Sequence, residues 1–264
     1  MPTLAEIYRY PIKSTRGELL SASAIDSQGL PFDRAWMVAD ETGRMLTGRT
    51  EPSLVQISAR THIDTLTLTA PSCEDCVIPL SFFNQPAAAS VWKDEFPAFA
   101  GANVADAWLS TFLGKPVRLL YVGESSARRV RRRPDVTLSF ADAYPLLLIG
   151  QGSLDELNRR IGRTLSMRRF RPNLVVSGAE PFAEDHWKKI RIGNVIFSIE
   201  KPCERCVFTT VDPENGEKSS DQEPLRTLAT FRRTPEGVLF GQNAVAEHAG
   251  EIAFGMDIEI LEMV

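Results

Sequence analysis

The sequence predicts a mainly β fold with a few helices (α+β), arranged as two β-rich domains. Apolar and polar residues alternate over 65–70, which places Leu66, Leu68 and Ala70 on one face of a strand. The dipeptide Gly193-Asn194 separates two short apolar segments and predicts a two-residue β-hairpin turn. Helical patterns are few and do not alternate with the strands. This argues against βαβ repeats and favours β-barrels with a few packed helices.

The other strand predictions come from short apolar or alternating segments. Residues 34–38 and 117–122 read as strands, and the four apolar residues 146–149 are typical of a short buried strand. Near the C-terminus, every second residue is apolar, which predicts a strand over 252–260 with one buried face: Ile252, Phe254, Met256, Ile258 and Ile260.

Three helices are predicted from capping residues and helical periodicity. The first is capped by Asn103, ends at Gly114 and buries one face: Ala105, Trp108, Leu109 and Phe112. The second begins with a capping box formed by Ser153 and Glu156. The third has Pro224 in its first turn.

A polar, arginine-rich segment, 124–134, lies between two apolar regions and predicts a boundary between domains 1–124 and 125–264. Within it, five arginines occupy six positions, 128–133. Like charges at this density repel one another unless they are solvated or paired with anions. The run is either a solvated linker or an electropositive surface for an anionic ligand, and the composition does not choose between them.

Composition and charge exclude several classes of protein. The 264 residues are 43% hydrophobic and 24% charged, which is typical of a globular protein, and the net charge of −4 gives no reason to expect nucleic-acid binding. No apolar run is long enough to cross a bilayer, and charged residues within 4–9 interrupt any secretory signal. These features predict a cytoplasmic protein without a membrane anchor.

Four cysteines form two C-x-x-C pairs, Cys73/Cys76 and Cys203/Cys206. A four-cysteine zinc site is one reading, although about 126 residues separate the pairs, far more than in a zinc ribbon. Two acidic residues lie between Cys73 and Cys76, which disfavours their thiolates, whereas Arg205 favours a thiolate next to it. Cys206, and with less support Cys203, is therefore the candidate metal ligand or nucleophile.

Two other patterns offer little chemistry. His62, His186 and His248 are far apart in sequence and form no zinc motif or evident triad. The segment 149–155 imitates a dinucleotide fingerprint, but Asp155 replaces its third glycine and would repel a pyrophosphate. The sequence therefore predicts neither a histidine-based site nor a nucleotide site.

Cationic residues accompany turns at two other places. Lys13 and Ser14 follow a strand near Arg34, and Arg171 and Asn173 begin another. Guanidinium groups bind phosphate through two parallel hydrogen bonds. Each residue could equally form a structural ion pair or a turn, and residue types alone leave both readings open.

Taken in order along the chain, these segments resemble the MOSC proteins of the group that contains the mitochondrial amidoxime-reducing components and bacterial YcbX-type proteins. The matching segments run from residue 8 onward: 10–14, 29–34, 139–145, 170–178, 202–213, 223–225 and 240–243. Each alone is weak evidence, but the ordered set is specific.

The resemblance implies an N-terminal MOSC-type β-barrel domain and a MOSC β-barrel domain, with a molybdenum cofactor (molybdopterin) between them. It assigns Cys206 as the molybdenum ligand and catalytic residue. It also assigns cofactor contacts: Lys13, Ser14, Arg34, Asp142, Arg171, Asn173, Arg205 and Asn243. Glu204 stands where relatives often have serine, which leaves no side-chain hydroxyl there.

The resemblance further implies a molybdenum-dependent reductase of N-hydroxylated bases and amidoximes. The sequence shows no flavin, haem or iron–sulfur motif, so electrons would come from a separate ferredoxin-, flavin- or haem-type protein. A non-catalytic carrier of the molybdenum cofactor is the alternative that predicts the same ligands. The structural zinc protein is the third hypothesis.

Overall fold

The computed structural model describes residues 1–124 and 126–264. Twenty strands and three α-helices occupy these ranges, which confirms the predicted mainly β class. The predicted domain junction near residue 125 lies at the position outside the described ranges. The division into 1–124 and 125–264 stays a prediction.

The first half of the chain contains ten strands and one α-helix. The strands are β1 Thr3–Arg9, β2 Glu18–Leu20, β3 Ala22–Ile25, β4 Trp36–Ala39, β5 Ser58–Thr61, β6 Thr65–Thr69, β7 Cys76–Pro79, β8 Gln85–Val91, β9 Asp94–Ala100 and β10 Arg118–Tyr121. Helix α1, Asn103–Leu113, lies between β9 and β10.

The second half contains the other ten strands and two α-helices. The strands are β11 Arg129–Val130, β12 Arg133–Thr137, β13 Leu146–Gly150, β14 Leu174–Ser177, β15 Trp187–Ile192, β16 Val195–Arg205, β17 Arg233–Thr234, β18 Gly237–Ala246, β19 Gly250–Ala253 and β20 Ile258–Met263. The helices are α2 Gln151–Ile161 and α3 Leu225–Phe231.

One sheet contains strands from both halves of the chain. Its order is β2-β1-β14-β13-β18-β16-β15-β20, and β17 pairs with β18. Strand β1 pairs with β14 so that Thr3 faces Ser177, and β3 pairs separately with β19. Strands β1, β2 and β3 therefore complete the β structure of the C-terminal half. The sheets β4-β10-β9-β8 and β5-β6-β7 belong to the N-terminal half.

Segment 10–14 crosses between two hydrophobic cores. Leu4 and Ile7 of β1 lie in the core of the large sheet, whereas Ile12 packs with the smaller sheets and helix α1. The Lys13 amide donates to the Trp36 carbonyl at 2.9 Å and ties the crossing to β4. Because the chain changes cores here, Lys13 and Ser14 lie between the two β structures.

The predicted hairpin and first helix are confirmed, with one local correction. Ile192 faces Val195, which leaves Gly193 and Asn194 as the two-residue turn. Helix α1 ends as predicted, at Gly114 in the left-handed conformation with φ 67°. Asn103 is the first helical residue and not the cap, because the backbone already becomes helical there.

The starts of α2 and α3 differ slightly from prediction. Helix α2 begins at Gln151, and the Ser153 hydroxyl donates to the buried Glu184 carboxylate at 2.7 Å, so the capping box is wrong. Pro224 immediately precedes α3 and does not lie inside its first turn. In both cases a buried side chain, Glu184 or Glu223, accepts hydrogen bonds near the helix N-terminus.

The single C-terminal strand predicted over 252–260 is wrong. Strand β19 ends at Ala253 and β20 begins at Ile258, and they pair with different strands, β3 and β15. Between them Gly255 has φ 83° and Phe254 is 67% exposed. The alternation of apolar residues continued through a turn, so periodicity alone joined two strands.

Candidate functional site

A cleft of about 400 Å³ lies between the two β structures. Its wall contains all nine residues that the sequence analysis selected: Lys13, Ser14, Arg34, Asp142, Arg171, Asn173, Arg205, Cys206 and Asn243. They are up to 230 positions apart in the chain, and the fold brings them to one place. Their roles toward a ligand remain proposals.

The charge of the cleft favours an anionic ligand. Seven cationic side chains line it: Lys13, Arg34, Arg49, Arg169, Arg171, Lys201 and Arg205. Only Asp142 and Glu204 contribute carboxylates among the described lining residues. Positive charges gathered in a concave site attract anions such as phosphate.

Lys13 and Asp142 form an ion pair at the cleft. The buried Lys13 ammonium donates to Asp142 Oδ1 at 2.5 Å and to the Phe140 carbonyl at 2.9 Å. Burial lowers the pKa of Lys13, and Asp142 offsets part of that effect. Desolvation raises the pKa of Asp142, but the Lys13 ammonium and the Trp92 indole outweigh it, so its pKa falls below the usual range. The carboxylate therefore stays ionised.

Tyr10 holds two arginines of the cleft. The guanidinium carbons of Arg34 and Arg171 lie 4.4 and 4.2 Å from its ring centroid. Arg34 also pairs with the buried Asp33, and Arg171 donates to the Thr15 carbonyl. Burial lowers the pKa of Arg171 to about 10, which leaves it protonated at neutral pH. The aromatic ring and carboxylate offset the repulsion between the two cations.

Asn173 is a positioning residue in this structure. Its Oδ1 accepts from Arg34 at 3.0 Å and from the Leu147 amide at 3.2 Å, while its Nδ2 donates to the Tyr8 carbonyl and Asp33. All four hydrogen bonds of the amide are therefore made within the protein. Asn173 orients Arg34, and the direct cofactor contact that the resemblance implies for it stays a prediction.

Three residues of the cleft have left-handed backbone. Ser14, Arg34 and Arg171 have φ values of 69°, 50° and 57°. This conformation is uncommon for residues with a Cβ atom and persists where the surrounding structure enforces it. The fold therefore imposes the backbone conformation, and with it the side-chain direction, at three lining positions of the cleft.

The two thiols of the C-x-x-C segment lie apart along an extended backbone. Strand β16 runs through Cys203 to Arg205, and Cys206 follows with φ −127° and ψ 177°. Three extended residues span about 10 Å, whereas a disulfide requires Cα atoms within about 7 Å. Cys203 and Cys206 therefore act as separate thiols, and a disulfide-forming redox pair does not fit this backbone.

Cys203 contacts Arg205, whereas Cys206 begins the next turn. The Cys203 sulfur accepts from Arg205 Nη1 at 3.0 Å, and Arg205 Nη2 donates to the Phe170 carbonyl at 2.6 Å. Cys206 precedes the 3₁₀ turn Val207–Thr210, and its sulfur lines the cleft. Cys203 is therefore engaged with Arg205, whereas the Cys206 side chain makes no hydrogen bond within the described residues.

Two guanidinium groups of the cleft have buried N–H donors without a protein partner. These are Arg171 Nη2 and Arg205 Nε. Buried donors are normally hydrogen-bonded, and leaving one unpaired costs about 1–3 kcal/mol. Together with a free thiol, they fit a ligand that carries both a phosphate and a thiophilic metal.

Several lining residues escaped the sequence reading: Thr47, Arg49, Trp92, Arg169 and Lys201. For Thr47 and Arg49 the sequence contains one signal, the glycine between them, Gly48, which is typical of a close approach of the backbone to other atoms. A Cβ at Gly48 would lie 2.1 Å from the Phe208 ring, so the loop approaches the cleft closely only with glycine. No local pattern predicts that Trp92 lines the cleft, because its contact there is with Asp142, 50 positions away in the chain.

The glycine-rich turn before α2 holds a carboxylate of the protein itself. Glu184 is 1% exposed and accepts from the Gly150 amide at 3.0 Å and from the Ser153 hydroxyl. The N-terminus of a helix favours an anion, and here Glu184 supplies it. Glu184 therefore takes the place at this helix N-terminus that a nucleotide phosphate would occupy.

The four-cysteine zinc hypothesis finds no support in the described part of the chain. Cys76 is buried beside α1, where its sulfur contacts the Val104 carbonyl, and burial raises the pKa of its thiol. Over residues 1–124 and 126–264, no three His, Cys, Asp or Glu side chains form a group that could hold a metal.

Two arginines of the arginine run, Arg128 and Arg133, form ion pairs within the protein. Arg128 is buried, pairs with Asp94 at 3.0 Å and donates to the Ser139 and Ala141 carbonyls. Arg133 forms ion pairs with Asp135 and Glu200. Arg128 and Arg133 therefore do not contribute to the electropositive surface considered for residues 128–133, because their charges are used within the protein.

We expect Arg128→Ala to lower the free energy of unfolding by about 3 kcal/mol. The change removes a buried guanidinium from its ion pair with the exposed Asp94 and leaves two carbonyl oxygens without their donor. Urea unfolding followed by circular dichroism measures it. The exposed neighbour Arg131 is the matched control, and Arg131→Ala should stay within about 0.5 kcal/mol of the parent. Equal small effects would contradict a structural role for Arg128.

Two family models match the chain. The MOSC N-terminal beta barrel domain matches residues 1–116, and the MOSC domain matches residues 135–259. Mitochondrial amidoxime-reducing component 1 of Homo sapiens is 34% identical, over 98% of this chain and 83% of that protein. Mitochondrial amidoxime reducing component 2 of Homo sapiens is 34% identical, over 87% and 72%. Molybdenum cofactor sulfurase of Oryza sativa subsp. japonica is 32% identical, over 90% and 32%.

These relatives correct the predicted location. The cytoplasmic prediction is wrong, because the amidoxime-reducing relatives are named as mitochondrial proteins. The prediction rested on the lack of a secretory signal, which does not distinguish the cytoplasm from a mitochondrion. Within the described residues, the helices are all too short or too polar to cross a membrane.

Proposed function

Because this chain belongs to the MOSC-domain family, whose MOSC domain binds the molybdenum cofactor, we propose that it is a molybdenum-cofactor reductase of N-hydroxylated compounds. The names of its amidoxime-reducing relatives support the substrate class of amidoximes and other N-hydroxylated bases. Those names also support a mitochondrial location. The observation that carries the proposal is the cation-lined cleft with the thiol of Cys206 in its wall.

The residues of the cleft suit the chemistry of the cofactor. Cys206 would supply the protein sulfur to molybdenum, because a thiolate is a soft ligand. Lys13, Arg34, Arg171 and Arg205 would surround the phosphate, and the two buried unpaired N–H donors would gain acceptors there. The proposed polar contacts are Ser14, Asp142 and Asn243, while Asn173 would act by orienting Arg34.

When bound, the cofactor supplies the two-electron reduction of the N–O bond. The overall change converts N–OH, two electrons and two protons into N–H and water. The chain contributes orientation and electrostatics, because its cations would hold the anionic ligand in the cleft.

We further propose that the electrons come from a separate donor protein of the ferredoxin, flavin or haem type. The relatives are named as components, which fits an activity shared among several proteins. Arg129, Arg131 and Arg132 are the exposed arginines of the run, and they are the part of it that would meet an acidic donor.

Purified protein is expected to contain about one molybdenum per chain and to convert an amidoxime into its amidine with a chemical reductant. Elemental analysis measures the metal, and chromatography measures the amidine. Protein freed of cofactor by mild denaturation and refolding is the control and should be inactive. Protein that holds stoichiometric molybdenum but does not reduce amidoximes would contradict the reductase.

The similarity to a molybdenum cofactor sulfurase keeps a cofactor carrier as the second candidate. A carrier would use the same cleft but would release its cofactor. Incubation with a cofactor-free molybdenum enzyme separates the two functions. Rapid activation of the acceptor, together with no amidoxime turnover, would favour the carrier.

A further inference from the structure

The turn between β8 and β9 places a tryptophan, Trp92, in a left-handed backbone conformation at the edge of the cleft. Val91 faces Asp94, so Trp92 and Lys93 form a two-residue turn. Trp92 has φ 56°, a conformation that asparagine and glycine favour at this position. The side chain is 45% exposed yet lines the cleft. An exposed tryptophan on strained backbone calls for a reason beyond packing.

The indole of Trp92 fixes one oxygen of Asp142. Its Nε1 donates to Asp142 Oδ1 at 2.9 Å, and Lys13 Nζ donates to the same oxygen at 2.5 Å. Over the described residues, Asp142 Oδ2 receives no hydrogen bond. The Asp142 side chain is 60% exposed at the cleft, so two donors on Oδ1 leave Oδ2 open to water or to a ligand that displaces it.

The position of the indole is itself restrained. The guanidinium carbon of Arg49 lies 4.3 Å from the Trp92 ring centroid. Trp92 and Arg49 both belong to the N-terminal half of the chain, whereas Asp142 follows β12 in the C-terminal half. The contact therefore joins the two sides of the cleft at the carboxylate.

We propose that Trp92 is a positioning residue that turns Asp142 so that Oδ2 accepts a hydrogen bond from an N–H group of the bound ligand. This inference rests on the proposed function. The N–H group has two possible sources, the pterin of the cofactor and the N-hydroxylated substrate, because both carry N–H donors.

Trp92→Phe tests the proposal, since it removes the indole N–H and keeps an aromatic ring beside Arg49. Loss of one hydrogen bond to a charged acceptor is expected to weaken binding roughly tenfold. If the pterin is the donor, molybdenum and pterin retained after dialysis should fall by that factor. If the substrate is the donor, retention should stay normal while KM for an amidoxime rises with kcat unchanged.

Two controls make the test specific. Lys93→Ala, in the same turn, should change neither retention nor KM. In an Asp142→Asn background, Trp92→Phe should have no added effect, because its partner is already altered. Unchanged retention and KM in Trp92→Phe would overturn the proposal. An equal effect of Trp92→Phe in the parent and in the Asp142→Asn background would also overturn it. Suppose that Trp92→Phe lowers cofactor retention as predicted but the parent protein does not reduce amidoximes. This result would refute only the reductase and would leave the role of Trp92 intact.

Discussion

Cys206→Ser is expected to abolish amidoxime reduction and to leave less than about 1% of the parental activity. Altering a group outside the first coordination shell costs 10–100-fold in typical metal sites, and loss of a ligand costs more. Serine is a poor substitute, since its hydroxyl lacks the soft, readily ionised sulfur. Activity per chain and molybdenum per chain are measured on the same preparation.

Cys203→Ser is the matched control for that experiment. A serine hydroxyl still accepts a hydrogen bond, so it preserves the contact that Cys203 makes with Arg205. We expect at most a roughly tenfold loss, smaller than for Cys206→Ser. Equal losses in the two variants would mean that the metal ligand is assigned to the wrong cysteine or is shared.

Arg171→Ala is expected to weaken retention of the cofactor by about 1.5–3 kcal/mol, or roughly 10- to 150-fold. Arg171 has one buried N–H without a protein partner, and its charge lies beside Arg34 over the Tyr10 ring. Removal of the guanidinium takes away the donor and part of the positive field. Molybdenum and pterin that remain after timed dialysis measure the effect.

Arg171→Lys and thermal unfolding provide the control for Arg171→Ala. Lysine keeps the charge but not the planar fork, so it should retain an intermediate amount of cofactor. Arg171 also donates to the Thr15 carbonyl, which predicts some loss of stability in both variants. Normal retention with a lower melting temperature would mean that Arg171 has only a structural role.

Local features were predictable because nearby residues alone determine them. The Gly193-Asn194 turn and the end of α1 at Gly114 follow from backbone conformations that those residues favour. The selected site residues also lie in one cleft, although the choice came from an ordered family resemblance. Residue types alone had left Lys13, Arg34 and Arg171 equally open to structural roles.

The errors arose where distant segments decide the outcome. The alternation over 252–260 continued through a turn, and only pairing with β3 and β15 separates β19 from β20. The composition of the arginine run left a solvated linker and a charged surface equally open, but Arg128 is buried and its donors are used by Asp94 and two carbonyls. Similarly, the helix start at Gln151 depends on Glu184, more than 30 residues away.

The sequence by itself determined a mainly β chain, its hairpin, its first helix and the set of cations and thiols able to serve one ligand. The tertiary structure decided that β1 completes the sheet of the C-terminal half, that Asn173 holds Arg34, and that Trp92 reaches Asp142. Short-range preferences fix turns and caps. Strand pairing and side-chain contacts between distant segments depend on the whole fold, because the residues within one segment do not determine which other segment packs against it.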